Sequence, residues 1–265
     1  MKTELEIAKE LAVRAGAILL EYYQDAPSVE WKGKNDPVTS ADRAASRFVV
    51  DELRKHFPLD GILCEEEKDD LARLSRPRVW VIDPMDGTKE FIARNGEFSV
   101  MIGLAVDWEA RLGAVYQPTE RKLYYAAAGS GAYLTQNDVT RQLRVSKETD
   151  LSKAVMALSR SHLSQANETI RKNLGIDRTV QTGSIGLKVG LLCEGKADVY
   201  VQGRGTSLWD TCGPEAILRE AGGRMTDKSG NRFAYNVEEV RNLQGVIATN
   251  AVFHDTVVEA ARPVL

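Results

Sequence analysis

The most informative segment of the chain reads Trp80-Val81-Ile82-Asp83-Pro84-Met85-Asp86-Gly87-Thr88. Its apolar start is typical of a strand buried on both faces, which we expect to end at Asp83. Pro84 then fixes a turn, and a helix is predicted from Lys89 to Arg94. Carboxylates at the carboxyl end of a strand share one crevice, where they need a cation between them or one must bind a proton. The N–H groups at the start of the helix suit a phosphate oxygen.

Three further acidic positions are candidates for the same crevice. Glu65 begins the run Glu65-Glu66-Glu67, and Asp42 falls in the first turn of a predicted helix. Asp210 follows Trp209 and opens the helix that ends at Gly222. Oxygen ligands select hard cations, Mg²⁺ above all, and enough acids for two ions suggest a clamp on an in-line phosphoryl displacement. Each acid alone has an ordinary alternative: a surface turn, a solvated face for the triple Glu, or a helix cap for Asp210.

Composition limits the classes of protein that remain. The chain has 265 residues, a net charge of −3, and 43% hydrophobic and 28% charged residues, which predicts one large or two small globular domains. No apolar run approaches the roughly 20 residues of a membrane span, and no secretory signal is recognised. The acidic balance argues against binding a nucleic-acid polymer. Three separated cysteines argue against a disulfide framework and a cysteine zinc site, and favour a cytoplasmic location.

Hydrophobic periodicity predicts two helices, then a mostly antiparallel meander, then a mixed α/β region. The first part contains helices at 4–23 and about 39–57, a loop at 24–37, and strands at 79–82, 98–106, 113–116, 123–127 and 132–134. The second contains strands at 155–158, 198–201 and 246–248, and helices at 164–173, 185–193, 212–221 and 252–261. No motif for a covalent nucleophile or a Walker-type loop is present.

Together, Glu65-Glu66, Asp83 to Thr88, and Trp209-Asp210 with the helix end at Gly222-Gly223 resemble the inositol monophosphatase superfamily of Mg²⁺-dependent, Li⁺-sensitive phosphatases. The resemblance extends over nearly the whole chain. It implies an α+β fold, a layered αβαβα sandwich with the site between two halves. Residues 1–147 would carry most metal ligands, and residues 148–265 the substrate contacts and Asp210. It also implies two or three Mg²⁺ ions, a small phosphate ester as substrate, and a homodimer.

The resemblance also implies a role for each acid. Glu65, Asp83 and the Met85 carbonyl resemble the ligands of a first metal ion, and Asp83, Asp86 and Asp210 those of a second. Metal ions lower the pKa of bound water and neutralise charge on the phosphoryl group, so this chemistry needs no protein nucleophile.

The remaining catalytic roles concern water and phosphate. Glu65 and Asp42 resemble the residues that bind a third ion and its water. Thr88, with Asp42 or Glu65, resembles the group that orients and deprotonates the attacking water. The amides of Gly87 and Thr88 would hold the phosphate.

Within the superfamily, Lys89-Glu90-Phe91 is similar to the CysQ-type bisphosphate nucleotidases, which convert 3′-phosphoadenosine 5′-phosphate to AMP and phosphate. The run Ser159-Arg160-Ser161-His162 resembles a segment that lies against the nucleotide, and Ser184 with Lys188 resembles a stretch that contacts the second phosphate. A second phosphate needs cations and adenine needs a flat partner. The ordinary alternatives are surface-loop residues for Arg160 and His162 and a solvated helix residue for Lys188.

Some positions depart from the nucleotidase pattern. The stretch Ser184-Ile185-Gly186-Leu187-Lys188 replaces the usual Ser-Ser-Leu-Lys, and Gln202 stands where some members carry arginine. The glutamate that inositol enzymes use for sugar hydroxyls is also missing. An inositol monophosphatase or a broad sugar phosphatase is the alternative function. A non-catalytic relative is disfavoured because every acid is retained. Cys64 and Cys212 lie beside predicted ligands, so we expect thiol modification to lower activity.

Overall fold

The computed structural model describes residues 1–24, 29–33, 36–161, 164–203 and 205–265. Two helices open the chain, α1 (Lys2–Gln24) and α2 (Ser40–His56). A capping box starts α2: the Thr39 hydroxyl accepts from the Ala41 N–H at 3.1 Å, and Asp42 accepts from the Thr39 N–H at 2.8 Å. Asp42 therefore lies in the first turn of α2, as its sequence position predicts.

The segment predicted as a loop at residues 24–37 contains a short hairpin, so that prediction was wrong in part. Strands β1 (Val29–Gly33) and β2 (Asp36–Thr39) pair antiparallel. Neither strand is long enough for alternation to stand out, and Pro37 favours an irregular segment by its lack of an N–H.

A seven-stranded sheet forms the first half, in the order β3-β4-β5-β6-β7-β8-β9. Its pairs are antiparallel except β3–β4, which is parallel. The meander is confirmed, and the sequence missed only its two edge strands, β3 and β9. The strands are β3 (Gly61–Cys64), β4 (Arg78–Asp86), β5 (Ser99–Val106), β6 (Glu109–Gln117), β7 (Lys122–Ala127), β8 (Ala132–Gln136) and β9 (Val139–Leu143). The short helix α3 (Thr88–Ile92) follows β4.

A five-stranded mixed sheet forms the second half, in the order β11-β10-β12-β14-β13. Its strands are β10 (Val155–Ser159), β11 (Arg178–Thr182), β12 (Val199–Gln202), β13 (Arg224–Thr226) and β14 (Val246–Thr249). Its helices are α4 (Gln165–Asn173), α5 (Ile185–Cys193), α6 (Leu208–Glu220) and α7 (His254–Ala261). Helix α6 begins about one turn before the predicted start at Cys212, because a capping box between Ser207 and Asp210 closes its first turn.

The elements stack in five layers. Helices α1 and α2 bury their apolar faces on one side of the first sheet, and α5 and α6 lie between the two sheets. Helices α4 and α7 cover the outer face of the second sheet. The predicted αβαβα sandwich is therefore confirmed. The division into halves at 147/148 stays a prediction, since the shared helix layer packs on both sheets. Among the helices described, none is long and apolar enough to cross a membrane.

Helix α6 approaches the first sheet closely over two glycines that pair across β5 and β6, Gly103 and Gly113. A methyl group on Gly113 would lie 2.1 Å from the carbonyl oxygen of Gly213 in α6, and one on Gly103 would lie 2.7 Å from the Cys212 sulfur. Only glycine permits this spacing, so the two positions fix the height of α6, and with it Asp210, above the sheet.

We expect Gly113→Ala to lower the free energy of unfolding by about 1–3 kcal/mol or more, because the added methyl group overpacks a rigid backbone contact. Urea denaturation measures the change. The neighbouring exposed Arg111→Ala is the control, with an expected change within about 0.5 kcal/mol. Equal stability of the two variants would contradict the close packing of α6.

Candidate active site

Three aspartates meet where the first sheet faces the start of α6. Strand β4 carries a bulge between Asp83 and Asp86, and Asp210 is the third residue of α6. One carboxylate oxygen from each aspartate lies within 4.8 Å of the other two. The local sequence explains this: Pro84 breaks the ladder, so that two acids separated by two residues turn toward one space.

Glu65 reaches the same place through the parallel pairing of β3 with β4. The register sets Cys64 beside Ile82, and the Glu65 N–H donates to the Ile82 carbonyl at 3.2 Å. Glu65 and Asp83 therefore leave adjacent strand ends together. The negative charge of Glu65 also raises the pKa values of Asp83 and Asp210, which places the four acids in one electrostatic group.

The acids are difficult to ionise together. Burial, followed by the charges of Glu65, Asp86 and Asp210, raises the pKa of Asp83 well above its usual range, and only 2% of this residue is exposed. Burial and the neighbouring carboxylates raise the pKa of Asp210 in the same way. Oxygen donors that repel one another at this distance match the donor set of a hard divalent cation, so these residues fit the metal site that the sequence predicts.

Asp42 and Thr88 form a second polar contact beside the acids. One Asp42 oxygen accepts from the Thr39 N–H and hydroxyl at 2.8 and 2.7 Å. The Thr88 hydroxyl lies 3.3 Å from the other Asp42 oxygen and 3.4 Å from the Met85 carbonyl. Burial raises the pKa of Asp42 to about 6. A threonine hydroxyl held by a fixed carboxylate can accept a proton from a water and donate its own.

The turn before α3 presents backbone rather than side chain. Gly87 caps the helix with φ of 98°, a left-handed conformation that favours glycine, and a Cβ here would lie 3.0 Å from the Glu97 carbonyl. Thr88 and Lys89 follow as the first helical residues, and all three line the same cavity. The structure thus brings Gly87, Thr88 and Lys89 together at the predicted phosphate position.

Ser184 contacts a predicted metal ligand. Its hydroxyl donates to Asp86 at 2.5 Å, lies 2.8 Å from the Ser99 hydroxyl, and accepts from the Leu187 N–H at 3.2 Å. The Gly186 N–H also donates to Asp86, at 3.1 Å. Ser184 therefore orients Asp86. The sequence had singled out Ser184 for the substrate but carried no signal for Ser99, which lies 85 residues away.

Lys188 and Arg160 have different surroundings. Lys188 is 3% exposed, donates to the Gly183 carbonyl at 3.0 Å and lines the cavity, so it is not a solvated helix residue. Arg160 forms a two-pronged pair with Glu97, both contacts at 2.6 Å, and is not among the described residues that line the cavity. Its nucleotide contact stays a prediction, and His162 lies outside the described residues.

One cavity of about 940 Å³ contains most of these groups. It opens between the two sheets, beside the start of α6, and its wall combines acids, cations and backbone amides. Tyr200 also lines it, and the buried Tyr200 hydroxyl finds no hydrogen-bond partner in the part of the chain that is described. The predicted site residues that line the cavity are Glu65, Asp86, Gly87, Thr88, Lys89, Ser184, Lys188 and Asp210.

The chain belongs to the inositol monophosphatase family: the family model matches residues 1–264. The 3′(2′),5′-bisphosphate nucleotidase CysQ of Salmonella typhimurium is 37% identical over 238 residues, or 89% of this chain and 95% of that protein. The inositol-1-monophosphatase of Bacillus subtilis is 29% identical, covering 96% of this chain and 94% of that protein. These relatives confirm the prediction of an enzyme of the metal-dependent phosphatase class.

Solved structures of the family match the fold. An IMPase from Thermotoga maritima superposes with a TM-score of 0.85 at 30% identity, over 99% of this chain and 98% of that chain. CysQ from Bacteroides thetaiotaomicron superposes with a TM-score of 0.81 at 32% identity, over 94% and 97%. Both an IMPase and a CysQ thus share this architecture, so the fold does not separate the two substrate classes.

The two cysteines near the acids are shielded from solvent, which lowers the reactivity of their thiols. Cys64 and Cys212 are 3% and 0% exposed. Burial raises the pKa of the Cys64 thiol to about 12 and that of Cys212 well above its usual value, so little thiolate exists at neutral pH. The expectation that modification of these thiols lowers activity therefore conflicts with their burial.

We accordingly expect iodoacetamide to alkylate Cys64 and Cys212 at least about 100-fold more slowly in the folded protein than in urea, with activity retained. Mass spectrometry of timed samples measures the rates. Complete labelling of either residue in the folded protein within minutes, with loss of activity, would restore the original expectation.

Binding of a cation to these acids is measurable as a change in the melting temperature. We expect saturating Mg²⁺ to raise the melting temperature by at least about 3 °C over NaCl of equal ionic strength, because a bound cation removes the repulsion in the folded state. Asp210→Asn should lose most of this shift, and Asp51→Asn on the surface of α2 should keep it. Equal shifts in the two variants would contradict the assigned site. Differential scanning fluorimetry provides the measurement.

Proposed function

We propose that the chain is a Mg²⁺-dependent phosphomonoesterase that hydrolyses 3′-phosphoadenosine 5′-phosphate to AMP and phosphate. The observation that carries this proposal is the cluster of Asp83, Asp86 and Asp210, with Glu65 coupled to it electrostatically. This cluster adjoins a cavity that Thr88 and the buried cation Lys188 also line. Several relatives at 35–37% identity are CysQ bisphosphate nucleotidases, which supports the nucleotide as substrate.

Three groups of ligands would hold two or three Mg²⁺ ions. Glu65, Asp83 and the Met85 carbonyl would bind one Mg²⁺, and Asp83, Asp86 and Asp210 would bind a second. Glu65 and Asp42 would contribute to a third. When bound, Mg²⁺ supplies Lewis acidity and positive charge against the phosphoryl oxygens.

The chain's own groups position the reactants. The Thr88 hydroxyl lies near Asp42. It would accept a proton from the attacking water while it donates its own proton to the Asp42 carboxylate. The amides at Gly87 and Thr88 would hold phosphoryl oxygens. The water oxygen forms a bond to the 3′-phosphorus as the P–O3′ bond breaks in line, and the ribose oxygen leaves with a proton from solvent, which yields AMP and inorganic phosphate.

The phosphate of the substrate that is not cleaved would pair with the buried cation Lys188. Lys188 is buried beside Ser184 and lies 5.4 Å from the centre of the Tyr200 ring. A lysine side chain this deeply buried needs a negatively charged partner to remain protonated. Asp86 supplies part of that negative charge, and the uncleaved phosphate would supply the rest. Lithium sensitivity, a cytoplasmic location, a place in sulfur metabolism and a homodimer belong to the same proposal.

The second candidate is an inositol monophosphatase. The Thermotoga maritima IMPase matches nearly the whole chain, which favours this candidate. The sequence after Tyr200 opposes this candidate. It reads Val201-Gln202-Gly203-Arg204 and lacks the glutamate that inositol enzymes use for sugar hydroxyls.

The test compares kcat/KM for 3′-phosphoadenosine 5′-phosphate, inositol 1-phosphate and fructose 1,6-bisphosphate in the presence of Mg²⁺. We expect the nucleotide to exceed the others by roughly 100-fold or more. Asp86→Asn should lower kcat by roughly 10³-fold or more while the protein stays folded, and Asp51→Asn should leave kcat unchanged. A preference for inositol 1-phosphate would overturn the nucleotide assignment, and full activity in Asp86→Asn would overturn the metal-ligand assignment.

A further inference from the structure

A segment far from the predicted motifs forms part of the cavity wall. We call residues 240–242 the rim segment. Two backbone hydrogen bonds fasten it to the start of α6: the Leu208 N–H donates to Val240 at 2.8 Å, and the Asn242 N–H donates to Thr206 at 2.9 Å. The Asn242 side chain also donates to the Ser207 carbonyl at 2.8 Å. The rim segment is therefore held beside the helix turn that carries Asp210.

Arg241 lies at the centre of the rim segment. It pairs with Ser207 in an isolated antiparallel bridge, lines the cavity, and has an exposed side chain. Within the described ranges, no carboxylate forms an ion pair with the Arg241 guanidinium. Arg160, by contrast, is already paired with Glu97. The backbone of Arg241 is thus fixed at the cavity while its charge stays available.

Thr206 is a buried residue beside the rim segment whose hydroxyl is unpaired in the described part of the chain. It is 3% exposed and lines the same cavity, next to the rim segment. The Thr206 hydroxyl finds no hydrogen-bond partner among the residues that the structure describes. Buried hydroxyls nearly always have a partner, so this unpaired hydroxyl at the cavity wall is free to bond to a polar group of a molecule bound there.

We propose that Arg241, with Thr206 beside it, binds the phosphate of a bisphosphorylated substrate that is not cleaved. The inference rests on the proposed function, since it assigns a specificity-determining residue to the same cavity. A guanidinium binds phosphate through two parallel hydrogen bonds, and a hydroxyl can donate a third. Lys188 is buried in the cavity wall, whereas Arg241 is exposed where the cavity meets solvent. The two cations would therefore contact the substrate from its buried side and from its solvent side.

The test is substrate discrimination. Arg241→Gln and Arg241→Lys are compared with the wild type on 3′-phosphoadenosine 5′-phosphate and adenosine 3′-phosphate, which differ only in the second phosphate. We expect Arg241→Gln to raise KM for the bisphosphate by roughly tenfold or more, with a several-fold smaller change for the monophosphate. Arg241→Lys should recover part of the loss, because it keeps the charge but not the paired geometry.

Arg144→Gln removes an equal charge from an exposed position outside the cavity lining and should change neither KM. Equal effects of Arg241→Gln on both nucleotides, or none on either, would overturn the inference. If the wild type prefers inositol 1-phosphate, the proposed function fails. The inference is then judged on fructose 1,6-bisphosphate against fructose 1-phosphate: a loss confined to the bisphosphate supports it, and equal losses or no bisphosphate preference overturn it.

Discussion

Repulsion among the carboxylates of Glu65, Asp83, Asp86 and Asp210 is the constraint on which the site depends. Burial and the charges of the neighbouring acids raise the pKa values of Asp83 and Asp210, so the folded chain holds these carboxylates together only at a cost in free energy. A divalent cation bound between these carboxylates would offset their repulsion. The stability of the fold and the chemistry of the site are thus linked through the same charges.

The surrounding structure resists that repulsion through backbone geometry. Parallel pairing of β3 with β4 fixes Glu65 beside Asp83, and the bulge in β4 separates Asp83 from Asp86. Close packing of α6 on Gly103 and Gly113 sets the position of Asp210. The first sheet contributes Asp83 and Asp86 and helix α6 contributes Asp210, so this acidic cluster exists only when the sheet and the helix are assembled.

Buried hydrogen bonds also orient the Asp86 carboxylate. Ser184 adopts φ of 35°, which is uncommon for a residue with a side chain, and its hydroxyl is held between Asp86 and Ser99. Strained backbone of this kind persists where the surroundings over-determine it, often at functional sites. The pair between Arg160 and Glu97 supports the same turn, because Glu97 also accepts from the Gly183 N–H at 2.7 Å.

Much of the fold and most of the acids were predictable because their signals are local. The apolar run before Asp83 predicts the buried strand β4, and Thr39 three residues before Asp42 predicts a helix start. The expected end of β4 at Asp83 with a turn at Pro84 was wrong, because the strand continues through a bulge to Asp86. Pairings between distant segments leave no such trace. Nothing near Ser99 indicates Ser184, nothing near Arg160 indicates Glu97, and the rim segment around Arg241 lies in irregular chain without periodicity. The early start of α6 was missed because the periodicity predicted the helix from Cys212, whereas the capping box between Ser207 and Asp210 adds the turn before it.

The most direct test of the central claim is a crystal structure of the chain grown with Mn²⁺, using anomalous scattering to locate the ions. We expect at least one strong peak about 2.0–2.4 Å from carboxylate oxygens of both Asp83 and Asp210, with Asp86 or Glu65 completing the contacts. Crystals with saturating Mn²⁺ and no anomalous peak between these side chains would contradict it.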